Sequence, residues 1–119
     1  MSNARLIIYH NPSCSKSRET LQILENNNLT PTVIEYLDQP PSPQELTKII
    51  EMLGVSARDL LRTNEQIYAD AKLDNDTLSG DEIIAAICEH PVLLQRPIVV
   101  SGERAVIGRP PTKVMDIIV

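Results

Sequence analysis

The stretch ARLIIYHNPSCSKSRETLQILENNN, Ala4 to Asn28, decides how the rest of the chain must fold. Its apolar opening, Ala4 to Tyr9, has the length and character of a buried strand. A polar turn follows, with a single cysteine, Cys14, among polar neighbours and one proline. A helical pattern then starts near Ser15 to Ser17 and carries Leu21, Ile23 and Leu24. It runs out at Asn26-Asn27-Asn28, where an asparagine can take the left-handed conformation that closes a helix. PTVIEYL, Pro31 to Leu37, reads as a second strand. Strand, helix and strand in succession imply a parallel pair joined by a right-handed crossover.

Downstream, the segments announce their own starts. Ser42-Pro43-Gln44-Glu45 is a capping box with proline at the first helical position. Leu46, Ile49, Ile50 and Leu53 follow at helical spacing, and Gly54 ends the run. Ser56 to Asp59 caps a short helix that ends near Arg62. Thr63-Asn64-Glu65-Gln66 is a third capping signal. Ser79-Gly80-Asp81-Glu82 is a fourth and leads into Ile83, Ile84, Ile87 and Cys88. Residues 43 to 95 are therefore expected to be helical. Two β-rich runs come next, Ile98–Val100 and Ala105–Ile107, separated by Ser101-Gly102-Glu103-Arg104, a hairpin signal. A last helix carries Val114, Ile117 and Ile118. The pattern contains no repeat or linker, so residues 1–119 read as one α/β domain, ordered β-α-β, helical insert, β-β-α.

Composition narrows the function. Phe and Trp are absent, so the core must be built from Leu, Ile and Val. Eleven Lys and Arg against sixteen Asp and Glu leave a net charge of −5. That balance argues against a nucleic-acid partner, because a phosphate backbone wants a basic face. No apolar run approaches membrane-spanning length and no signal-peptide pattern opens the chain. With only two cysteines, the expectation is a cytoplasmic protein with reduced thiols. Two Cys and two His show no zinc-like spacing, so no metal is expected.

Cys14 is the chemical centre of the reading. At a helix start, free backbone N–H groups and the helix dipole favour negative charge. Such a place lowers a thiol pKa and favours the thiolate. Lys16 and Arg18 are expected to add positive charge, and Ser15 and Ser17 to offer hydroxyls to the sulfur. The same turn suits an oxyanion beside the sulfur. Cys14-Ser15-Lys16-Ser17 is C-x-x-S, so a disulfide formed at Cys14 has no resolving neighbour and must be resolved by an outside thiol. His10 either tunes the thiolate or caps the strand. His90, before Pro91, is expected to cap a helix, and Cys88, on an apolar helical face, to pack in the core.

YHNPSCSKSRETL (Tyr9–Leu21), LLRTNE (Leu60–Glu65), HPVLLQRPIVV (His90–Val100) and IGRPP (Ile107–Pro111) together resemble the glutaredoxin-linked arsenate reductase family. The likeness implies a thioredoxin-like fold with a helical insertion and a mixed four-stranded sheet. It also implies a catalytic cysteine at Cys14, a histidine near it at His10 and a thiolate-supporting serine at Ser17. Three oxyanion-binding arginines are implied at Arg62, Arg96 and Arg109, and a cis-proline facing the cysteine at Pro97. The implied reaction reduces arsenate to arsenite with glutathione as co-substrate and glutaredoxin as partner, and needs no bound cofactor. Ser15-Lys16 departs from the smaller residues of the best-studied reductases, and the sequence stops at Val119 without a longer C-terminal tail. Both features suggest a sister branch. Two other functions fit the same turn: a general glutathione-linked thiol oxidoreductase, or a non-enzymatic RNA polymerase-binding regulator. The arginine trio favours the reductase over the first, and Ser17 in place of a second cysteine argues against the other.

Overall fold

The computed structural model describes residues 6–118; Ala4 and Arg5 of the expected first strand lie outside the described residues. In chain order the elements are β1 (Leu6–His10), α1 (Ser15–Asn26), β2 (Thr32–Glu35), α2 (Pro43–Leu53), α3 (Gln66–Asp70), α4 (Gly80–Glu89), β3 (Ile98–Ser101), β4 (Arg104–Ile107) and α5 (Met115–Ile118). Short 3-10 turns cover Ala57–Leu60, Pro91–Leu93 and Pro111–Val114. These elements gather into two compact units, one from Met1–Gln39 with Arg96–Val119 and one from Pro40–Gln95.

The first unit holds the sheet, in the order β2-β1-β3-β4. β1 pairs parallel with β2, and β3 runs antiparallel to both β1 and β4. This is the expected mixed four-stranded sheet. Its register places Ile8 opposite Val33 on one side and Val99 on the other, and Val99 opposite Val106. Directly opposed residues share a face of the sheet. Ile8 and Val99 are buried with Leu24 of α1, Val114 and Ile117, and Leu6, Leu21, Ile23, Leu29, Val106 and Ile118 pack around them. This cluster is aliphatic, in line with a chain that lacks Phe and Trp.

Local chemistry closes each element. α1 ends in a Schellman motif: Asn28 takes φ +62°, its N–H donates to Glu25 O, and Leu29 N–H donates to Leu24 O. Leu29 and Leu24 supply the apolar contact that goes with that motif. In the hairpin, Ser101 pairs with Arg104, which leaves Gly102-Glu103 as a two-residue loop. Gly102 has φ +63° and Glu103 does not have a positive φ, as a type II′ turn asks.

The second unit is helical, and Leu61 meets Leu94 there in an isolated antiparallel bridge. Ser42 and Ser79 each accept the N–H of the glutamate three residues on, whose carboxylate accepts the serine N–H in return. Both expected capping boxes are therefore present. Leu46 and Ile49 of α2, Ile83, Ile84 and Ile87 of α4, and Leu60, Leu61, Leu73, Leu93 and Leu94 are buried. Arg58 donates to Leu73 O and Asn75 O, each at 2.8 Å, and so holds the loop before α4. Two local expectations change here. The short helix after Ser56 is a 3-10 turn that ends at Leu60, ahead of Arg62. The third capping signal does not form: α3 starts at Gln66 without a side-chain cap, and Glu65 pairs with Arg62 instead.

No helix among the described residues is long and apolar enough to cross a membrane.

Candidate active site

The sheet register brings four loops to one end. β1 and β2, being parallel, finish together at His10 and Glu35. β3 starts there, with Ile98 opposite Tyr9, and β4 finishes there, with Ile107 opposite Ile98. The segments just beyond those residues are Asn11–Cys14, Tyr36, Arg96-Pro97 and Gly108-Arg109. Of the six site residues expected from sequence, the five that belong to the first unit, His10, Cys14, Ser17, Arg96 and Arg109, lie at this end of the sheet.

Cys14 is the N-cap residue of α1, with extended backbone (φ −99°, ψ 124°). Asn11 builds the turn that presents it. Asn11 O accepts the Cys14 N–H at 3.0 Å, and Asn11 Oδ1 accepts the Ser13 N–H at 2.9 Å. Burial pushes the Cys14 thiol up, but the backbone N–H of Ser17, the Arg96 guanidinium and the backbone N–H of Lys16 outweigh it, and the thiol lies below its ordinary value. Arg96 acts both as a hydrogen-bond donor and by charge. The direction is the one expected, with its sources reassigned. Lys16 helps through its main chain, and Arg96, remote in sequence, takes the part expected of Lys16 and Arg18 side chains. The Arg18 guanidinium donates to Pro12 O at 2.9 Å.

Ser17 is fully buried and its hydroxyl is engaged away from the sulfur. It accepts the Asn11 N–H at 3.0 Å and meets His10 Nδ1 at 2.6 Å. The arrangement that satisfies all three groups has the hydroxyl donating to Nδ1, which leaves the imidazole proton on Nε2. Burial lowers the His10 pKa, Glu35 opposes that and Arg18 adds to it, so the ring is held toward its neutral form. His10 and Ser17 therefore act as a buried brace behind the turn, and Ser17 reaches the sulfur through its backbone.

Arg109 is exposed, and its guanidinium donates to Arg96 O at 2.9 Å. Both Arg96-Pro97 and Arg109-Pro110 are cis peptides. The first was expected from the family likeness and the second was not. Arg62 belongs to the helical unit, where its guanidinium pairs with Glu65 at 3.0 Å and its N–H donates to Leu93 O. His90 caps α4 through its main chain and pairs with Glu89 at 3.5 Å. Cys88 is half-buried rather than fully enclosed. Its thiol donates to Pro41 O at 3.3 Å, and burial and the nearby Glu45 carboxylate push its pKa up. Among the described residues no cluster of three or more His, Cys, Asp or Glu could hold a metal ion.

Two residues of this end were not singled out from sequence. Tyr36, one residue past β2, is fully buried, and Arg96, Asn11 and Cys14 all act on its hydroxyl. The parallel pairing with β1 was the signal that could have found it. Gly108 sits where a side chain has no room: a Cβ there would lie 2.7 Å from Thr20 Oγ1 and 2.9 Å from Pro97 Cγ. Its N–H donates to Pro97 O.

Known proteins carry the same arrangement of chain. A family model described as the ArsC family matches residues 9–117. An arsenate reductase of Haemophilus influenzae is 47% identical over 114 residues, which is 95% of this chain and 98% of that protein. Another, of Acidiphilium multivorum, is 44% identical over 118 residues, 99% of this chain and 82% of that protein. The solved structure of an arsenate reductase from Vibrio cholerae matches 98% of this chain and all of its own, at TM-score 0.94 and 45% identity. A match that runs unbroken from the Cys14 turn through both Arg-Pro loops shows that the chain belongs to the ArsC family.

Proposed function

We propose that this protein reduces arsenate to arsenite, with Cys14 as the nucleophile and with glutathione and glutaredoxin as the outside thiols. The observation that carries the reading is a helix-capping cysteine of lowered pKa beside an arginine that acts directly on its sulfur. The relatives that bear the name arsenate reductase support the choice of substrate.

The Cys14 thiolate attacks pentavalent arsenic. A sulfur–arsenic bond forms, an arsenic–oxygen bond breaks, and the oxygen takes up a proton and leaves as water. Arg96 and Arg109 hold the remaining oxygens and offset the charge that develops on them. Arg62 is named as the third arginine on the strength of the family likeness alone. Glutathione sulfur then attacks the Cys14 sulfur. A disulfide forms, the sulfur–arsenic bond breaks, and its electron pair stays on arsenic. Arsenic goes from the +5 to the +3 state while the two sulfurs are oxidised. Glutaredoxin takes the glutathione sulfur and returns Cys14 as the thiolate. An outside thiol is needed because position 17 is serine and the Cys88 thiol is raised and turned to Pro41.

The test is arsenite production by the purified protein with glutathione and glutaredoxin, with Cys14→Ser as the control. Turnover that depends on Cys14 is expected. Cleavage of glutathionylated peptides without any arsenate reduction would move the protein to the thiol oxidoreductase reading.

A further inference from the structure

Two buried polar atoms at the Cys14 end of the sheet are unsatisfied. Among the described residues neither the Tyr36 hydroxyl nor Arg96 Nε has a hydrogen-bond partner. Polar groups removed from water are nearly always bonded, and exceptions gather where a ligand is taken up. Here the two orphans are neighbours, because Arg96 and Asn11 face the Tyr36 hydroxyl and Arg96 also faces the Cys14 sulfur. Together they present one neutral O–H and one cationic N–H beside a nucleophile.

We infer that Tyr36 is a further anion-binding residue of this site: its hydroxyl donates a hydrogen bond to one oxygen of the oxyanion that Arg96 holds by charge. The inference rests on the proposed function for the anion itself. The hydroxyl is suited to donate. Burial raises the Tyr36 pKa and the Cys14 charge raises it further, against the opposing pull of Arg96 and Asn11, so it stays protonated. A neutral donor does not compete with the thiolate for the arginine charge, whereas a further cation would lower the nucleophilicity of the sulfur. An anion oxygen taken up beside Arg96 gives the Tyr36 hydroxyl the acceptor it lacks in the structure.

The measurement is protection of Cys14 against iodoacetamide by arsenate without glutathione, in wild type and in Tyr36→Phe. The substitution removes an oxygen with no hydrogen-bond partner among the described residues and keeps the ring. Its thermal midpoint should be unchanged or higher, and the apparent Cys14 pKa should move little. The arsenate concentration for half-protection should rise about tenfold, the usual effect of removing a hydrogen bond to a charged group. Equal protection in the two proteins would overturn the role of Tyr36 and leave the proposed function standing. Loss of protection in wild type itself would overturn both. A Tyr36→Phe protein that melts lower or fails to fold would also overturn the inference, because the hydroxyl would then be satisfied within the protein.

Discussion

Gly108→Ala tests how tightly the site is held to its scaffold. Gly108 does not have a positive φ, so the substitution strains no backbone and acts only through the methyl group. That methyl would lie 2.7 Å from Thr20 Oγ1, 2.9 Å from Pro97 Cγ and 3.2 Å from Thr20 Cγ2. Ordinary carbon contacts lie at about 3.5–4.0 Å, so each neighbour must yield by several tenths of an ångström or more. Neither yields freely. Thr20 is fully buried, and its hydroxyl donates to Lys16 O at 2.8 Å inside α1. Pro97 is buried in a ring of fixed torsion, and its carbonyl accepts the Gly108 N–H at 2.9 Å. Overpacking of this kind costs about 1–3 kcal/mol. At about 4 °C per kcal/mol for a domain of this size, the thermal midpoint should fall by about 4–12 °C. Because relief comes by moving the Arg96-Pro97 loop, the apparent pKa of Cys14 should rise as well. Calorimetry and the pH dependence of Cys14 alkylation read the two effects. Thr20→Ala in the Gly108→Ala background removes two of the three close contacts and should recover part of the loss. A Gly108→Ala protein that melts with wild type and keeps its Cys14 titration would show that the Thr20 and Pro97 contacts do not hold the site in place.

The two thiols move in opposite directions, so iodoacetamide near neutral pH should label Cys14 well before Cys88; equal rates by peptide mass mapping would contradict the site. Arg96→Lys keeps the charge but loses the planar fork, and arsenate turnover should fall about tenfold or more, since an ammonium cannot serve sulfur and anion oxygen with the same geometry. His10 is held below its ordinary 6.5, so the unfolded chain binds its proton first as pH falls. Its contribution to stability is full above 6.5 and declines as pH drops from there toward the lowered native value. In urea titrations across that range, His10→Gln should show a flatter pH dependence than wild type. Cys88→Ala should leave turnover near wild type and cost about 1 kcal/mol of stability for the small cavity it leaves.

What could be read from the sequence was set by neighbours along the chain. The Ser42 and Ser79 capping boxes, the Gly102 hairpin and the cap at Cys14 each depend on residues within four positions, and all four formed. The lowered Cys14 pKa was legible for the same reason, since a helix start supplies its own N–H donors. Its partners were not. Lys16 and Arg18 were near in sequence, but long side chains at an exposed turn are free to point elsewhere. Arg96 reaches the sulfur because β3 pairs with β1, a contact that no local pattern encodes. Tyr36 could have been found from the β1–β2 pairing that the sequence does imply, and Ser17 was named, though its hydroxyl is taken by His10 and Asn11 and not by the sulfur. Glu65 shows one local signal losing to another, as its carboxylate meets Arg62, three residues before it, in place of opening a capped helix. Gly108 reads as an ordinary loop glycine until the distance to Thr20 is known.

The order in which the chain is made gives the Arg96 placement another meaning. β1, the Cys14 turn and β2 leave the ribosome first, and Arg96 follows only after the whole segment Pro40–Gln95 has been synthesised. A helix as short as α1 is marginal on its own in water, so the nascent turn has neither a persistent helix start nor the guanidinium beside its sulfur. The cysteine emerges as an ordinary thiol, slow toward oxidants and electrophiles at neutral pH. The full lowering of its pKa comes only when β3 adds to β1 and delivers Arg96, so the state of this thiol is tied to completion of the sheet.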